Sequence, residues 1–162
     1  MNLASTLPLA IILDLDNVLW DSTMLDQYLP KNKKPTREEW REFETHYPEV
    51  IPNQWAVDLV NVHRNAGHLI LFVTSREDAD NCKGTTINSL NKALNDDLNG
   101  VYLFMRDYGN REDSDVVKEQ IYLKEIKDNY NVKFAIDDDP KNCEMFNRHG
   151  IPTLQKILKK VL

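Results

Sequence analysis

The sequence predicts an α/β fold with a mainly parallel central sheet. Apolar runs of strand length alternate with amphipathic segments of helix length along the 162-residue chain, and this alternation is typical of strand–helix–strand units. Three of these runs are followed directly by Asp or Thr, at Asp14, Thr74 and Asp137, the position where open α/β sheets bind their ligands. With 41% apolar residues, a chain of this length can bury a substantial core.

The strands and helices of this fold are predicted from apolar patterning. Short continuous apolar runs predict five strands, at residues 9–13, 68–73, 101–105, 133–136 and 151–155. Apolar residues spaced three or four apart, together with turn residues, predict helices at residues 36–47, 52–67, 86–94 and 114–130, a short one ending at 148, and a last one in the Lys-rich tail.

Local signals place several of these boundaries. Thr36 and Glu39 form a capping-box pattern at the start of the first helix. Pro52 suits the first turn of the second helix, and Gly67 suits its end. Residues 17–35 predict an irregular excursion between the first strand and this helical region.

Composition restricts the classes of function. The net charge of −6 argues against a broad nucleic-acid surface, since phosphate binding requires a basic footprint. Two cysteines without a motif predict a reduced, cytoplasmic protein. We expect no secretory signal and no membrane association, because the only early apolar run leads directly into Asp14 and no run has the length of a membrane span.

Two carboxylates, Asp14 and Asp16, follow the first predicted strand. Side chains two residues apart on a strand point to the same side. One aspartate could therefore attack an electrophile while the other transfers the proton.

Three further positions lie at or beyond the ends of predicted strands: Thr74, Lys118 and the pair Asp137–Asp138. Each has an ordinary structural explanation when taken alone. Thr74 could be a helix cap, Lys118 a surface lysine, and the aspartates before Pro140 a turn.

The segments IILDLDNVL, LFVTSRE, VVKEQI and FAIDDDP, in this order, resemble the four motifs of the haloacid dehalogenase (HAD) phosphohydrolase superfamily. The resemblance implies a Rossmannoid three-layer α/β/α sandwich with at most a small flap or helical cap. It also implies that Asp14 is the nucleophile, that Asp16 is the general acid and base, and that Thr74 and Lys118 hold phosphoryl oxygens.

The same resemblance implies a Mg²⁺ cofactor. Elementary electrostatics agrees, because two like charges about 4 Å apart repel by about 4 kcal/mol at an effective dielectric near 20, and Mg²⁺ prefers carboxylate and phosphate oxygens. Asn17 departs from the frequent Gly of the first motif, although Asn tolerates a left-handed backbone. The implied metal ligands are Asp14, Asp16 through its backbone carbonyl, Asp137 and Asp138.

A narrower resemblance covers most of the chain from Trp40 to Gln155. Residues 74–77, 106–122 and 130–138 carry it, since they are similar to the 3′-phosphatase domain of phage-type polynucleotide kinase. It implies a phosphorylated nucleotide or a nucleic-acid 3′ end as substrate. The Arg-x-Asp unit that begins at Arg111 lies one residue farther from Lys118 than is usual, and Asp139 stands where a basic residue is common. The implied substrate-binding residues are Ser75, Arg76, Arg106 and Arg111. A kinase activity is not expected, since no G-x-x-x-x-G-K-[ST] phosphate loop is present.

The sequence therefore predicts a Mg²⁺-dependent phosphatase in a single domain of residues 1–162, with residues 17–50 as a flap or small cap. Two alternatives stay open at this point. A 5′(3′)-nucleotidase or other small-molecule phosphatase is favoured by the negative net charge and by Asp139. A HAD-fold binding protein without turnover is disfavoured, because every catalytic position holds a competent residue.

Overall fold

Five parallel strands form the central sheet of the computed structural model, which describes residues 6–79 and 81–158. Its first strand, β1, lies in the middle of the sheet between β4 and β6. The order across the sheet is β5-β4-β1-β6-β7, and the bounds are β1 Leu9–Leu13, β4 Leu69–Glu77, β5 Val101–Arg106, β6 Asn131–Asp137 and β7 Thr153–Gln155. A central parallel strand must be covered on both faces, which explains why β1 is apolar throughout.

Helices cover both faces of this sheet. Ile11 and Leu13 of β1 pack against one layer of helices, whereas Ala10 and Ile12 point to the opposite face. The first face is covered by α2 and α3, and the second by α4 and α5, with bounds α2 Gln54–Asn65, α3 Cys82–Ala93, α4 Ser114–Ile121 and α5 Pro140–Arg148. The predicted mainly parallel sheet and three-layer α/β arrangement are confirmed.

The segment between β1 and α2, which we call the insertion (residues 17–50), has little regular structure. It contains β2 (Trp20–Asp21), a 3-10 turn at Thr23–Tyr28, α1 (Arg37–Glu44) and a second 3-10 turn at Tyr47–Glu49. The capping box is confirmed: the Thr36 hydroxyl accepts from the backbone N–H of Glu39, whose carboxylate accepts from the backbone N–H of Thr36. The helix α1 is three residues shorter than predicted, because the chain turns after Glu44.

Two boundaries differ from the prediction because of strand pairing. Pro52 lies in β3 (Ile51–Pro52), which pairs with β2 in an antiparallel ladder, so that α2 begins only after Asn53. The strand β4 continues past Val73 to Glu77, since its pairing with β5 resumes there after a register shift. A register shift of this kind re-aims side chains next to functional sites.

Two helices also differ from the prediction. The helix α3 begins four residues earlier than predicted. After α4 the chain continues as a π-helical turn at Tyr122–Ile126, in which the N–H of Lys127 donates to the carbonyl of Tyr122 at 2.8 Å, and it does not stay helical to Tyr130. The predicted helix in the Lys-rich tail falls largely on residues 159–162, which lie outside the described residues.

The described helices are too short or too polar for any of them to cross a lipid bilayer.

A pair of histidines, His63 at the end of α2 and His68 just before β4, predicts a pH effect on stability. The Nδ1 atoms of His63 and His68 are 2.8 Å apart, and burial together with His68 lowers the pKa of His63. The unfolded chain therefore binds a proton at His63 more readily than the folded protein, so stability falls as the pH drops through the unfolded pKa of about 6.5. We expect a decrease of about 0.5 kcal/mol at most, because the ring is partly exposed and screened.

Urea unfolding of wild type and His63→Gln at about pH 7.5 and 5.5 measures this effect. We expect the decrease to be smaller in the variant. His149→Gln is the control, because His149 pairs with Glu119, and it should leave the decrease at least as large. An unchanged decrease in His63→Gln would contradict the assignment.

Candidate active site

The ends of β1 and β6 and the helix α4 bring three charged side chains together. The Lys118 ammonium lies 2.9 Å from Oδ1 of Asp14 and 2.6 Å from Oδ2 of Asp137. Its side chain is 1% exposed. Asp14 and Asp137 become neighbours because β1 and β6 are paired, and the backbone N–H of Asp14 donates to the carbonyl of Ile136. A charged lysine is buried only where such partners compensate its desolvation.

The protonation of this cluster follows from burial and mutual repulsion. Burial raises the pKa of Asp14. Lys118 lowers this pKa again, but only in part, because the negative charges of Asp137 and Asp16 raise it further. Burial also opposes the charge on Lys118, but the attraction of Asp14 and Asp137 outweighs it and raises the pKa of the lysine. Lys118 is therefore a fixed positive charge, whereas Asp14 is a carboxylate held in an unfavourable environment.

A third carboxylate makes this cluster suitable for a divalent cation. One carboxylate oxygen from each of Asp14, Asp137 and Asp138 lies within 4.8 Å of the other two. Three carboxylates and one ammonium leave two negative charges, which a divalent cation would neutralise. The donors are all hard oxygens, the ligand type that Mg²⁺ prefers. The residues present therefore fit the implied cation.

Asn17 holds one of these carboxylates in place. Its backbone is left-handed, with φ of 62°, so Asn supplies the conformation for which the first motif often uses Gly. Its amide nitrogen donates to Oδ2 of Asp138 at 3.1 Å, and its amide oxygen accepts from the backbone N–H of Ser22. Burial raises the pKa of Asp138, and this hydrogen bond opposes the increase only in part.

Asn142, which the sequence analysis missed, orients Asp137. Its amide nitrogen donates to Oδ1 of Asp137 at 3.0 Å and approaches the Ser114 hydroxyl at 3.3 Å. The backbone N–H of Asp139 donates to the same Asp137 oxygen at 3.0 Å. The signal that could have identified Asn142 is a polar residue in the first turn of the helix after Pro140.

Asp16 lies beside this cluster and is bound by Arg76. The guanidinium donates from Nε to Oδ2 at 2.8 Å and from Nη2 to Oδ1 at 2.6 Å. The Ser22 hydroxyl and the Trp20 indole N–H also donate to Oδ1, at 2.8 and 3.2 Å. Burial opposes ionisation of Asp16, but Arg76 and these hydrogen bonds outweigh it and lower the pKa. Asp16 is therefore ionised when no substrate is bound.

Thr74 and Ser75 lie in the irregular part of β4. Thr74 is buried, and its hydroxyl accepts from the backbone N–H of Arg76 at 3.1 Å. The carbonyl of Ser75 accepts from Nε of Arg106 at 2.8 Å, and Nη1 of Arg106 donates to the carbonyls of Asn110 and Glu112. Arg106 thus ties the loop of residues 107–113 to β4.

The carboxylate of Glu77, at the end of β4, binds two more arginines. Nη1 of Arg37 lies 2.9 and 2.6 Å from its two oxygens, and Nη1 of Arg111 lies 3.3 Å from Oε1. The backbone N–H of Gly109 donates to the same carboxylate at 2.6 Å. Burial opposes its ionisation, but these donors outweigh it and lower the pKa of Glu77. The sequence analysis included Glu77 in the segment LFVTSRE but gave it no role, since its partners lie on other elements of the fold.

A cleft of about 550 Å³ separates the insertion from the end of β4 and the loop of residues 107–113. Asp16 and Asn17 line this cleft, and Asn17 bonds to Asp138, so the carboxylate cluster lies next to it. The four residues predicted to bind substrate, Ser75, Arg76, Arg106 and Arg111, also line the cleft. Arg76 is 3% exposed, whereas the Arg111 side chain is 60% exposed. Their contact with a substrate stays a prediction.

One family profile and several solved structures are similar to this chain. The family profile of the polynucleotide kinase PNKP phosphatase domain matches residues 8–157. Two structures of a Pnkp1/Rnl/Hen1 complex, one of them described as an RNA repair complex, align with TM-scores of 0.71 and 0.73 at 22% and 23% identity. These alignments cover 94% and 96% of this chain but 43% and 48% of the matched chains. The chain thus spans less than half the length of those proteins.

Two phosphatases share the fold at lower identity. The class C acid phosphatase from Bacillus anthracis aligns with a TM-score of 0.60 at 15% identity, over 86% of this chain and 55% of that chain. A phosphoserine phosphatase, solved as a phospho-aspartyl intermediate analogue, aligns with a TM-score of 0.53 at 16% identity, over 87% and 82% of the two chains.

The opposite pKa directions of the two aspartates predict opposite effects on stability. The ionised form of Asp14, whose pKa is raised, costs folding free energy at neutral pH. In the presence of a chelator, which removes divalent cations, Asp14→Asn should therefore raise the free energy of unfolding by about 1 kcal/mol. Asp16 has a lowered pKa, so its ionised form contributes stability above the unfolded pKa of about 4 and loses it as the pH falls. Asp16→Asn should lower the free energy of unfolding by about 2 kcal/mol.

Thermal unfolding at neutral pH compares the two isosteric variants, with a shift in Tm of about 2–4 °C per kcal/mol. Each variant serves as the control for the other, because both remove one carboxylate from the same edge of the sheet. A shift of the same sign in both would contradict the assigned electrostatics.

Proposed function

Because the chain belongs to the family of the polynucleotide kinase PNKP phosphatase domain, and is thereby a HAD-type phosphatase, we propose that it removes 3′-phosphates from nucleic-acid ends or nucleotides in a Mg²⁺-dependent reaction. The observation that carries this proposal is the buried Lys118 between Asp14 and Asp137, beside a third carboxylate. A phosphate dianion can approach three carboxylates only with the help of such positive charges.

Asp14 is the nucleophile in the proposed reaction. Its carboxylate attacks the phosphorus, the bond from phosphorus to the leaving oxygen breaks, and an aspartyl-phosphate forms. Water then attacks this phosphorus and releases inorganic phosphate and the free Asp14. The Lys118 ammonium and the Thr74 hydroxyl stabilise the phosphoryl oxygens.

Asp16 transfers the protons. It protonates the leaving oxygen in the first step and takes a proton from the attacking water in the second. Asp16 is ionised in the free protein, because Arg76 lowers its pKa. The charge of an entering phosphate dianion raises that pKa again, which allows Asp16 to take up the proton that it later delivers.

The proposed metal site consists of Asp14, Asp137 and Asp138, whose oxygens converge, and the backbone carbonyl of Asp16. Bound Mg²⁺ would supply the positive charge that these carboxylates and the phosphate require. Asn17 and Asn142 hold the side chains of Asp138 and Asp137 for this purpose.

The residues that line the cleft support a bulky substrate. They include Arg37, Arg111 and Trp40, a residue that is 41% exposed. Arginine can bind phosphate oxygens, and an exposed tryptophan can stack on a base. The matched structures come from a complex described as acting in RNA repair, which is consistent with a nucleic-acid 3′ end.

We further propose that the chain acts as one phosphatase domain in which the insertion is a small cap, and that it carries no kinase activity. Both described cysteines are buried thiols without a disulfide, which supports a reducing, cytoplasmic environment.

A 5′(3′)-nucleotidase is the second candidate. Asp26, Glu44 and Glu112 line the same cleft, and the net charge of the chain is −6. Such surroundings disfavour a long polyanion more than a single nucleotide.

Phosphate release, with and without Mg²⁺, from 3′-phosphorylated DNA and RNA oligonucleotides and from nucleoside 3′- and 5′-monophosphates tests the proposal. We expect Mg²⁺-dependent release that is fastest with an oligonucleotide and at least about 10³-fold slower in Asp14→Asn. Asp128→Asn, which removes an exposed carboxylate, is the control and should match wild type. Faster turnover of monophosphates would favour the nucleotidase, and activity that survives in Asp14→Asn would refute the proposed nucleophile.

A further inference from the structure

The insertion places the ring of Tyr47 over the Arg76 guanidinium, 3.6 Å from its Cζ. We propose that Tyr47 is a positioning residue for the phosphatase reaction: its ring holds Arg76 in the conformation that orients the carboxylate of Asp16. The inference rests on the proposed mechanism in which Asp16 transfers protons to and from the reacting oxygens.

The hydrogen bonds of Arg76 show why a ring is needed. Nε and Nη2 donate to the two oxygens of Asp16, and Nη1 approaches the Thr86 hydroxyl at 3.3 Å. All three nitrogens are thus engaged in the plane of the guanidinium. The two faces of the planar guanidinium carry no N–H group, and aromatic rings are the side chains that attract a cation at such a face.

The ring of Tyr47 covers one of these faces closely, and the Trp20 ring lies farther away, 5.1 Å from Cζ. Arg76 is 3% and Tyr47 8% exposed, so the contact is shielded from water. Burial raises the pKa of Tyr47, and the phenol therefore stays neutral and acts through its ring. An arginine side chain fixed in this way keeps its two bonds to Asp16 in a single geometry.

Because Tyr47 belongs to the insertion, its contact with Arg76 links the insertion to the candidate active site. Tyr47 begins the 3-10 turn at the end of the insertion and packs edge to face against Phe43 of α1, with centroids 5.7 Å apart. The insertion therefore does more than border the cleft. With the insertion folded against β4, the ring of Tyr47 covers the guanidinium that binds Asp16.

The leaving group separates this role from a merely structural one. The oxygen of a sugar hydroxyl must be protonated as it leaves, whereas p-nitrophenolate leaves without a proton. If the Asp16 carboxylate is wrongly oriented, the release of a sugar hydroxyl should therefore be slowed much more than the release of p-nitrophenolate. The ratio kcat/KM reports this step for both substrates, because it includes only steps up to the release of the leaving group.

The experiment compares Tyr47→Leu and Tyr47→Phe with wild type on two substrates. One is p-nitrophenyl phosphate, and the other, called the sugar phosphate below, is the oligonucleotide or nucleoside phosphate that the wild-type protein hydrolyses fastest. We expect Tyr47→Leu to lower kcat/KM for the sugar phosphate about tenfold or more, and for p-nitrophenyl phosphate less than about threefold. Tyr47→Phe keeps the ring and should stay within about twofold of wild type for both.

Tyr28→Leu is the matched control. It removes an aromatic ring from the same insertion, where Tyr28 stacks on His46, and it should change the two values of kcat/KM by the same factor. Partial unfolding of Tyr47→Leu lowers both values equally, so the ratio between the two substrates in one preparation does not depend on the folded fraction.

An equal loss for both substrates in Tyr47→Leu, or a loss in Tyr47→Phe as large as that in Tyr47→Leu, would overturn the inference. A wild-type protein that releases phosphate from neither substrate would instead refute the proposed function.

Discussion

The balance of charge at the carboxyl edge of the sheet governs the rest of the structure. Three carboxylates converge there and a single buried ammonium compensates one of them. Such an arrangement is costly, because burial opposes every charge and like charges repel. It is maintained by an apolar strand at the centre of the sheet, which fixes the backbone of Asp14, and by neighbours such as Asn142 that orient the carboxylates. Stability at this edge is given up for an environment suited to a cation and a phosphate.

Arginines organise the second half of the site through contacts within the protein. Arg76 binds the carboxylate of Asp16, Arg106 binds backbone carbonyls, and Arg37 and Arg111 meet at Glu77. Each of these contacts connects β4 to a loop or to the insertion. Much of this positive charge is therefore compensated inside the protein, as is the charge of Lys118. A phosphate dianion would require the additional positive charge of a bound cation at this site.

The insertion connects these two halves. It supplies Asn17 to Asp138, Ser22 and Trp20 to Asp16, and Tyr47 to Arg76. It also forms one side of the cleft. A segment with little regular structure is therefore held by polar and aromatic contacts to the site itself, and its folding and the geometry of the site depend on each other.

The sequence by itself determined the α/β class, the first strand and the order of the motifs, because apolar runs and strand-end carboxylates are local features of the chain. It also identified Thr36 as a helix cap, which depends on residues three apart. The roles of Glu77, Asn142 and Tyr47 were decided only by the tertiary structure, since their partners lie on other elements. The same holds for Pro52, which sequence places in a helix and strand pairing places in β3. Local patterns report the conformation and chemistry of a segment, whereas the partner of a buried charge is fixed only when the sheet brings distant segments together.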